Sequence, residues 1–253
     1  MQPVGILGLG FSGAALAQLL GAEAWSLGHH NGFELANPAD WPRIPLDTSC
    51  LVYTLPPWGE WKTNRLKLLP WLDWMQEHRP QTRRLVYLST TGVYPPHAGS
   101  YAEGDAYPHH DAAGIRLDTE ELFTRFFHCR ILRCGGIYGP GRHLGTRLAE
   151  GKPLRNLDGP SHRIHVADLA QIAAAAARQE QFPAVLNLVD ESPAPQRVVI
   201  AWLAAQGWVP LPSLPPETPA PARLVSRERL FNQGLTLQYP NYQAGYAAIY
   251  GSK

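Results

Sequence analysis

The chain alternates short apolar runs with longer segments in which apolar residues recur at helical spacing. The short runs end at glycine, proline or charged residues, a pattern typical of strands buried in a parallel sheet. Helical periodicity in the longer segments indicates helices that bury one face against such a sheet. The predicted strands are Pro3–Leu7, Ala24–Leu27, Cys50–Leu55, Arg84–Ser89, Cys129–Cys134 and Val185–Leu188.

Helices are predicted between these strands. They run from Ser12 to about Leu20 and over Asn64–Glu77, Asp118–Phe127 and Val166–Arg178. The alternation of strand and helix predicts an α/β fold, a doubly wound Rossmann-like parallel sheet with helices on both faces. The segment Trp208–Pro221 is rich in proline, so we expect an extended connection there rather than a helix.

The length of 253 residues fits one compact unit. Within it, we expect a core made by residues 1–140 and about 163–190, and a smaller lobe made by about 141–162 and 191–253. The formal net charge is +1, and lysine and arginine are scattered among acidic residues. This distribution offers no basic stripe to nucleic acid, so no nucleic-acid partner is expected.

Localisation and cysteine chemistry follow from what the sequence lacks. No apolar run approaches the ~20 residues that span a bilayer, and the first residues lack the basic start of a secretion signal. We therefore expect a cytoplasmic protein with no membrane partner. Cys50, Cys129 and Cys134 are odd in number and lack CxxC spacing, which favours reduced core residues over disulfides or a zinc site.

The first strand runs directly into a glycine-rich turn and then into a helix. The turn reads Gly8-Leu9-Gly10-Phe11-Ser12-Gly13. In such a GxGxxG turn, the first glycine allows a sharp bend, the second lets the backbone approach a pyrophosphate, and the third lets helix and strand pack closely. The helix N-terminus favours the negative charge of the phosphates. The turn predicts dinucleotide binding, and the alternative is a tight structural turn.

The ends of the second and third strands bear on which cofactor could bind. The second ends in Gly28-His29-His30-Asn31, where dinucleotide folds usually place an acidic residue that binds the adenosine ribose. The absence of a carboxylate favours NADP over NAD, with His29 and His30 as hydrogen-bond donors. Exposed loop histidines without a ligand are the alternative. Leu55 and Pro56, at the end of the third strand, should also face the cofactor.

Three later segments resemble a known family. They read Leu88-Ser-Thr-Thr-Gly-Val-Tyr94, then Leu132-Arg133 followed by Tyr138-Gly-Pro-Gly-Arg142, and Arg163-Ile-His-Val-Ala-Asp-Leu-Ala170. They are similar, in order and in spacing, to the SSxxVYG, LRxxxxYGPGR and RxxHVxDLA motifs of the extended short-chain dehydrogenase/reductases. This is the NAD-dependent epimerase/dehydratase group.

The resemblance implies roles for residues near these motifs. Thr90 falls where the family places the Ser or Thr that hydrogen-bonds the substrate, so it is the candidate catalytic residue. Ser89 should lie beside the cofactor. The implied substrate-contacting residues are Thr91, Tyr94, Arg142 and Arg163. For Arg163, an ion pair with Asp168 or another acidic neighbour is the competing structural role.

The family's acid/base pair is missing. Its members carry a tyrosine four residues before a lysine on one helix, and the lysine lowers the pKa of the phenol. The matching positions hold Ala113 and Leu117. A substitute proton donor could come from the preceding loop, and a solvated loop without catalytic role is the alternative. The polar residues of that loop are Tyr101, Glu103, Asp105, Tyr107, His109, His110 and Asp111.

Two hypotheses about function remain open. The first is an NAD(P)-dependent oxidoreductase or epimerase of atypical short-chain type, acting on an unidentified small molecule. The second is a dinucleotide-binding sensor or partner-binding module without redox chemistry. A homodimer is possible in either case. His109-His110-Asp111 and the pair His162 and His165 lack the partners of a closed zinc site, so no metal is expected.

Overall fold

A computed structural model describes residues 3–154 and 156–251. The strands are β1 (Val4–Leu7), β2 (Ala24–Leu27), β3 (Cys50–Tyr53), β4 (Arg84–Thr90), β5 (Gly99–Tyr101), β6 (His128–Cys134), β7 (Gly136–Tyr138), β8 (Arg163–His165), β9 (Val185–Leu188) and β10 (Arg223–Val225). The helices are α1 (Phe11–Leu20), α2 (Trp61–His78), α3 (Asp111–Phe126), α4 (Leu144–Ala149), α5 (Val166–Arg178), α6 (Gln196–Ala205), α7 (Glu228–Asn232) and α8 (Tyr242–Gly251).

The central sheet is parallel throughout and has the strand order β2-β1-β3-β4-β6-β9. All six predicted strands are confirmed, with no end more than two residues from its predicted place. The strand order reverses between β1 and β3. In open α/β sheets, ligands bind outside the carboxyl ends of the strands at such a reversal.

Helices cover both faces of the sheet, which confirms the predicted fold class. The side chains of Ile6, Val52 and Val86 pack with α1 and α5 on one face. On the other face, Leu51 and Tyr87 pack with α2 and α3. Because both faces are covered, the central strands are apolar at almost every position.

A second apolar cluster lies at the carboxyl edge of the sheet and is built by α4, α6 and α8. Its largest buried side chains include Tyr138, Leu203 and Tyr246. The segment 210–222 that leads away from it has neither helix nor strand, as its prolines predicted. Two small parallel sheets, β5 with β10 and β7 with β8, tie this region to the core.

The helix predictions were accurate for α1 and α5 and incomplete elsewhere. The predicted start of α3 at Asp118 is wrong, because the helix begins at Asp111. His110 caps it there, with Nδ1 accepting a hydrogen bond of 3.1 Å from the Ala113 amide. The sequence analysis did not predict α4, α6, α7 or α8. No helix in the described residues is long and apolar enough to cross a membrane.

Candidate functional site

The glycine turn, residues Gly8–Gly13, has the geometry that its spacing predicts. Gly8 has a φ of +97°, a region that side-chain-bearing residues rarely adopt. A Cβ on Gly13 would lie 2.0 Å from the Gly8 carbonyl oxygen, so only glycine fits there. Thr54, which follows β3, fixes the turn by donating from Oγ1 to the Gly8 oxygen at 2.7 Å. Sequence reasoning did not identify Thr54, because the contact spans 46 residues.

The N-terminus of α1 opens onto free space beside this turn. Gly10 is the N-cap residue, and within the described chain no side chain caps the helix. The first helical hydrogen bond runs from the Ala14 amide to the Gly10 oxygen at 2.8 Å. The amides of Phe11, Ser12 and Gly13 therefore have no partner inside the helix. A Cβ on Gly10 would meet no described atom within 4 Å. The arrangement suits a phosphate group.

The loop after β2 is rigid and largely exposed. Asn31 accepts from the Gly28 amide at 3.0 Å and donates to the Ser26 oxygen at 3.0 Å. His29 and His30 are exposed, and His29 contacts the Glu34 carboxylate. These contacts hold the histidine backbone in place while the rings stay open to solvent.

Arg43 is a further residue at this loop that the sequence analysis missed. Its guanidinium donates to the Asn31 oxygen at 2.7 Å and to the Gly32 oxygen at 3.0 Å. It thus brings a positive charge to the end of β2, although it lies far along the chain from the glycine turn. No local spacing signals this contact.

Leu55, which follows β3, lies beside the glycine turn. A Cβ on Gly8 would come within 2.8 Å of the Leu55 side chain, so Leu55 packs against the turn. Pro56 is exposed at the same edge. Leu55 is therefore positioned near the α1 N-terminus.

Among the three hydroxyl residues at the end of β4, Thr90 remains the most open. Its Oγ1 accepts a hydrogen bond from the Gly92 amide at 3.1 Å, and the residue is partly exposed. Ser89 is buried and donates to Glu120 at 2.5 Å. Thr91 is also buried. Only Thr90 combines a hydroxyl with access from the carboxyl edge.

Tyr94 does not lie where a substrate contact requires. Its side chain is fully buried, and its hydroxyl donates to Asn187 Oδ1 at 2.5 Å. The Tyr94 hydroxyl oxygen also accepts a hydrogen bond of 3.0 Å from Arg133. The expectation that Tyr94 contacts substrate is therefore corrected: the aromatic ring supports the core.

The two positions that the resemblance matches to the family's tyrosine and lysine are occupied by packed side chains. Ala113 is only 1% exposed. Leu117 packs against the apolar cluster that contains Val93, Tyr94 and Val189. The structure thus leaves no space at Ala113 for a larger phenol side chain without movement of its neighbours.

The preceding loop offers few free groups. Glu103 is buried and accepts from the Asn187 amide at 2.9 Å, so it is engaged in the fold. His110 caps α3 through Nδ1, which leaves Nε2 as its free nitrogen. His109 is turned towards the Tyr107 carbonyl oxygen, with its Nδ1 at 3.0 Å.

A cavity of about 540 Å³ lies next to the glycine turn, and we call it the Arg142 cavity. Its lining combines several cationic groups with few acidic ones. The ionisable side chains are Tyr138, Arg142, His143, Arg147, Glu150, Lys152, His162, Arg163 and Tyr246. The Arg142 guanidinium lies over the Phe11 ring at 5.3 Å. Arg142 therefore joins the cavity to the first residue of α1.

Arg163 belongs to the buried wall of this cavity. Its Nη1 donates to the carbonyl oxygens of Ser161 and Ala194, at 2.8 and 2.9 Å. Burial lowers the pKa of the guanidinium. The alternative pair with Asp168 is absent from the described contacts, because that carboxylate accepts from the amides of Gln238 and Tyr239.

His162 lies beside Arg163 and is held through its Nε2 atom. This nitrogen lies 3.1 Å from the Val225 amide and 3.2 Å from the Arg223 carbonyl oxygen. Burial lowers the pKa of this histidine, which favours the neutral form. Among the described residues, no cluster of three histidine, cysteine or acidic side chains could hold a metal ion.

Comparison with solved structures places this chain among known folds. A protein of Methylobacillus flagellatus, provisionally described as an NAD-dependent epimerase/dehydratase, aligns with a TM-score of 0.79 and 24% identity over 99% of this chain and 98% of the other. A conserved protein of unknown function from Silicibacter pomeroyi has 26% identity and a TM-score of 0.77, with 100% and 99% coverage. The UDP-glucose 4-epimerase of Thermus thermophilus in complex with NAD has 18% identity and a TM-score of 0.72, with 96% of each chain covered.

These similarities confirm the predicted fold. The chain has the fold of the NAD-dependent epimerase/dehydratase proteins along nearly its whole length. No protein-family model and no curated protein sequence matches it.

Proposed function

We propose that the chain is an NAD(P)-dependent enzyme of the epimerase/dehydratase type, with the dinucleotide at the glycine turn and a small anionic substrate in the Arg142 cavity. One observation carries the proposal: Arg142 lines the cavity and lies over Phe11 at the start of α1. A molecule in the cavity would therefore lie next to a cofactor whose phosphates occupy the glycine turn.

The glycine turn supplies the cofactor site. The unpartnered amides of Phe11, Ser12 and Gly13 would donate to the diphosphate, and the dipole of α1 would favour its negative charge. Gly10 leaves the space that the phosphates need. The NAD found in the Thermus structure supports a nicotinamide cofactor here. When bound, this group would supply hydride transfer.

The cofactor we favour is NADP. The loop after β2 has no carboxylate between Gly28 and Asn31, while Arg43 and two exposed histidines offer donors to a 2′-phosphate. Two acidic side chains oppose this choice: Glu34 contacts His29, and Asp40 pairs with Arg43 at 3.4 Å. A lower Kd for NADP than for NAD supports the assignment, and the reverse order rejects it.

Cationic side chains of the cavity would hold the substrate. Arg142 and Arg147 are both exposed to it, and guanidinium groups bind phosphate or carboxylate in a bidentate way. The neighbours named for UDP-glucose and UDP-N-acetylglucosamine make sugar nucleotides the first substrates to test. Thr90 would hydrogen-bond a hydroxyl or carbonyl of the substrate.

A matched pair of substitutions tests the cofactor site. Gly10 has an extended backbone that any residue can adopt, and Asp and Asn are both good N-cap residues. Gly10→Asp would place a carboxylate against the diphosphate, whereas Gly10→Asn has the same shape without charge. Titration calorimetry should show at least about tenfold weaker NADP binding for Gly10→Asp than for Gly10→Asn. Equal affinities would reject the proposed phosphate position.

Turnover is tested with UDP sugars and either cofactor, by nicotinamide absorbance and by separation of sugar products. Thr90→Ala should lower kcat by about 10²-fold, while Thr90→Ser retains the hydroxyl and much of the rate. A rate that is unchanged in Thr90→Ala would remove this residue from the mechanism.

The second candidate is a dinucleotide-binding protein without turnover. The packing of Ala113 and Leu117 favours it, because the usual acid/base groups are absent and their space is filled. NADP binding that is lost in Gly10→Asp, together with no product from any UDP sugar, would favour this candidate over the enzyme.

A further inference from the structure

A second arginine-lined cavity lies at the amino edge of the central sheet, on the opposite side from the glycine turn. We call it the amino-edge groove; its volume is about 660 Å³. Its lining comes from the first residues of β4 and β6 and from the segments that precede β3, β4 and β9. These residues are Ser49, Gln81, Arg83, Arg84, His128, Cys129, Arg130, Glu180, Phe182 and Ala184. Since β4 runs from Arg84 to Thr90 at 3.3 Å per residue, the groove is roughly 20 Å from the candidate catalytic threonine.

Strand register brings the cationic side chains of this groove together. Arg84 on β4 is aligned with His128 on β6, and Val86 is aligned with Arg130. Because side chains alternate along a strand, Arg84, His128 and Arg130 lie on one face of the sheet. Arg83, at the start of β4, adds a third guanidinium at the rim.

Carbonyl oxygens at the end of α5 and just after it accept hydrogen bonds from Arg84 and Arg130, but most N–H groups of these two side chains make no such contact. Arg130 donates to the carbonyl oxygens of Ala176 and Glu180, and its Cζ lies 5.6 Å from the Phe182 ring centre. Arg84 donates once, to the Arg178 oxygen at 3.3 Å. A guanidinium has five N–H groups, so the carbonyl contacts account for a minority of those available.

The groove has little negative charge of its own. Within residues 3–154 and 156–251, no carboxylate forms an ion pair with Arg83, Arg84 or Arg130, although eight other arginines do form one. Glu180 is the acidic side chain in the lining. Burial and, after it, the charge of Arg84 lower the pKa of the Arg130 guanidinium. No carboxylate of the described residues is paired with these guanidinium groups, and their positive charges therefore repel each other.

We infer that the amino-edge groove is a second anion site, which binds a small phosphate-bearing molecule between Arg83, Arg84 and Arg130. A phosphate would accept from several guanidinium groups at once and would relieve their mutual repulsion. Arg130, already fixed by the α5 carbonyls, would form the rigid base of the site. Arg83 and Arg84 would close on the ligand from the rim. The inference does not depend on the proposed cofactor or substrate.

The test uses inorganic phosphate as the probe, in titration calorimetry of the protein without added cofactor, so that its outcome is independent of the proposed dinucleotide site. The double variant Arg83→Gln/Arg84→Gln removes the two accessible charges and leaves the buried Arg130 in place. We expect phosphate to bind at least about tenfold more weakly to it than to the wild type. Arg125→Gln, on the exposed surface of α3, is the matched control and should leave phosphate binding unchanged.

A second variant distinguishes the two cavities. Arg142→Gln removes a cation at the carboxyl edge, and the phosphate binding that is lost in the double variant should persist in it, whatever happens to binding in the Arg142 cavity. If phosphate binding were lost in Arg142→Gln and retained in the double variant, the phosphate would belong to the Arg142 cavity and the inference would be overturned. Absence of binding to the wild type up to about 10 mM phosphate would overturn it as well. Arginine Nε–H signals of the wild type, followed by NMR during the same titration, test the site without any substitution.

Discussion

Two buried polar clusters lie near the carboxyl edge of the sheet, and they differ in how well their atoms are paired. The paired cluster consists of Ser89, Tyr94, Glu120, Arg133 and Asn187. Arg133 donates to Glu120 Oε2 at 2.7 Å, and Ser89 donates to the other carboxylate oxygen. The Tyr94 hydroxyl joins Arg133 to Asn187. This network connects β4, α3, β6 and β9 directly behind Thr90.

The unpaired cluster consists of Tyr138, Arg163, His165 and Asp190. Among the described residues, the Tyr138 hydroxyl, Arg163 Nη2, His165 Nε2 and both Asp190 oxygens are buried without a hydrogen-bond partner. A buried polar atom without a partner costs about 1–3 kcal/mol, so water or a ligand is expected near such atoms. The comparison indicates that the paired cluster is structural. The unpaired cluster instead adjoins the Arg142 cavity, which Tyr138 and Arg163 line, and has buried polar atoms to which water or a ligand could bind.

The largest expected effect comes from breaking the paired cluster. Glu120→Gln keeps the shape of the side chain but leaves the Arg133 charge buried without its counter-charge. Both side chains are about 95% buried, with exposed fractions of 5% and 6%. We expect the free energy of unfolding, measured in urea, to fall by about 3–5 kcal/mol.

Glu121→Gln, on the next residue of the same helix, is the matched control. It breaks an exposed pair with Arg125 in which both side chains are more than 60% exposed. Its expected cost is about 0.5 kcal/mol or less. Similar costs for the two variants would contradict the view that Glu120 and Arg133 form a structural pair.

The second prediction concerns the pH dependence of the unpaired cluster. Burial raises the pKa of Asp190 from 3.8 to about 7, against the lowering effect of Arg163. The folded state therefore binds this proton more tightly than the unfolded state, and the carboxyl group destabilises the fold increasingly as pH rises from about 4 to about 7. Asp190→Asn removes this titration. Relative to wild type, its Tm should rise with pH over that window.

The Tm of the variant must be compared with that of the wild type at the same pH, because the titration of His165 changes stability with pH in the opposite direction. Burial lowers the pKa of His165 from 6.5 to about 4, so this ring destabilises the fold as pH falls through that range. Asp168→Asn is the contrasting variant: burial raises the pKa of this carboxyl group too, but its carboxylate accepts from two backbone amides. It should lower Tm at every pH. A Tm difference between Asp190→Asn and wild type that is constant with pH would contradict the prediction.

The sequence predicted those parts of the molecule that depend on local pattern. The six strands, the glycine turn and α5 follow from apolar runs, glycine spacing and an alanine-rich helical period. The start of α3 was missed because its cap is a histidine, and histidine is an uncommon N-cap residue.

Long-range contacts explain the remaining errors. Tyr94 was expected to contact substrate, but its partners Arg133 and Asn187 lie 39 and 93 residues away in sequence. Thr54 and Arg43 reach their positions through contacts of the same kind. Hydrophobic periodicity carries no information about such pairings, so neither the paired cluster nor the Arg142 cavity could be derived from it.

The smallest expected effects come from one chemical change made in both clusters. Tyr94→Phe removes a hydroxyl that pairs Arg133 with Asn187, so it should cost about 1–2 kcal/mol. Tyr138→Phe removes a buried hydroxyl that has no partner among the described residues, so it should be neutral or stabilising by up to about 1 kcal/mol. Opposite signs in urea unfolding would confirm the contrast. A comparable loss in Tyr138→Phe would show that water already satisfies its hydroxyl, and that the two clusters are equally paired in solution.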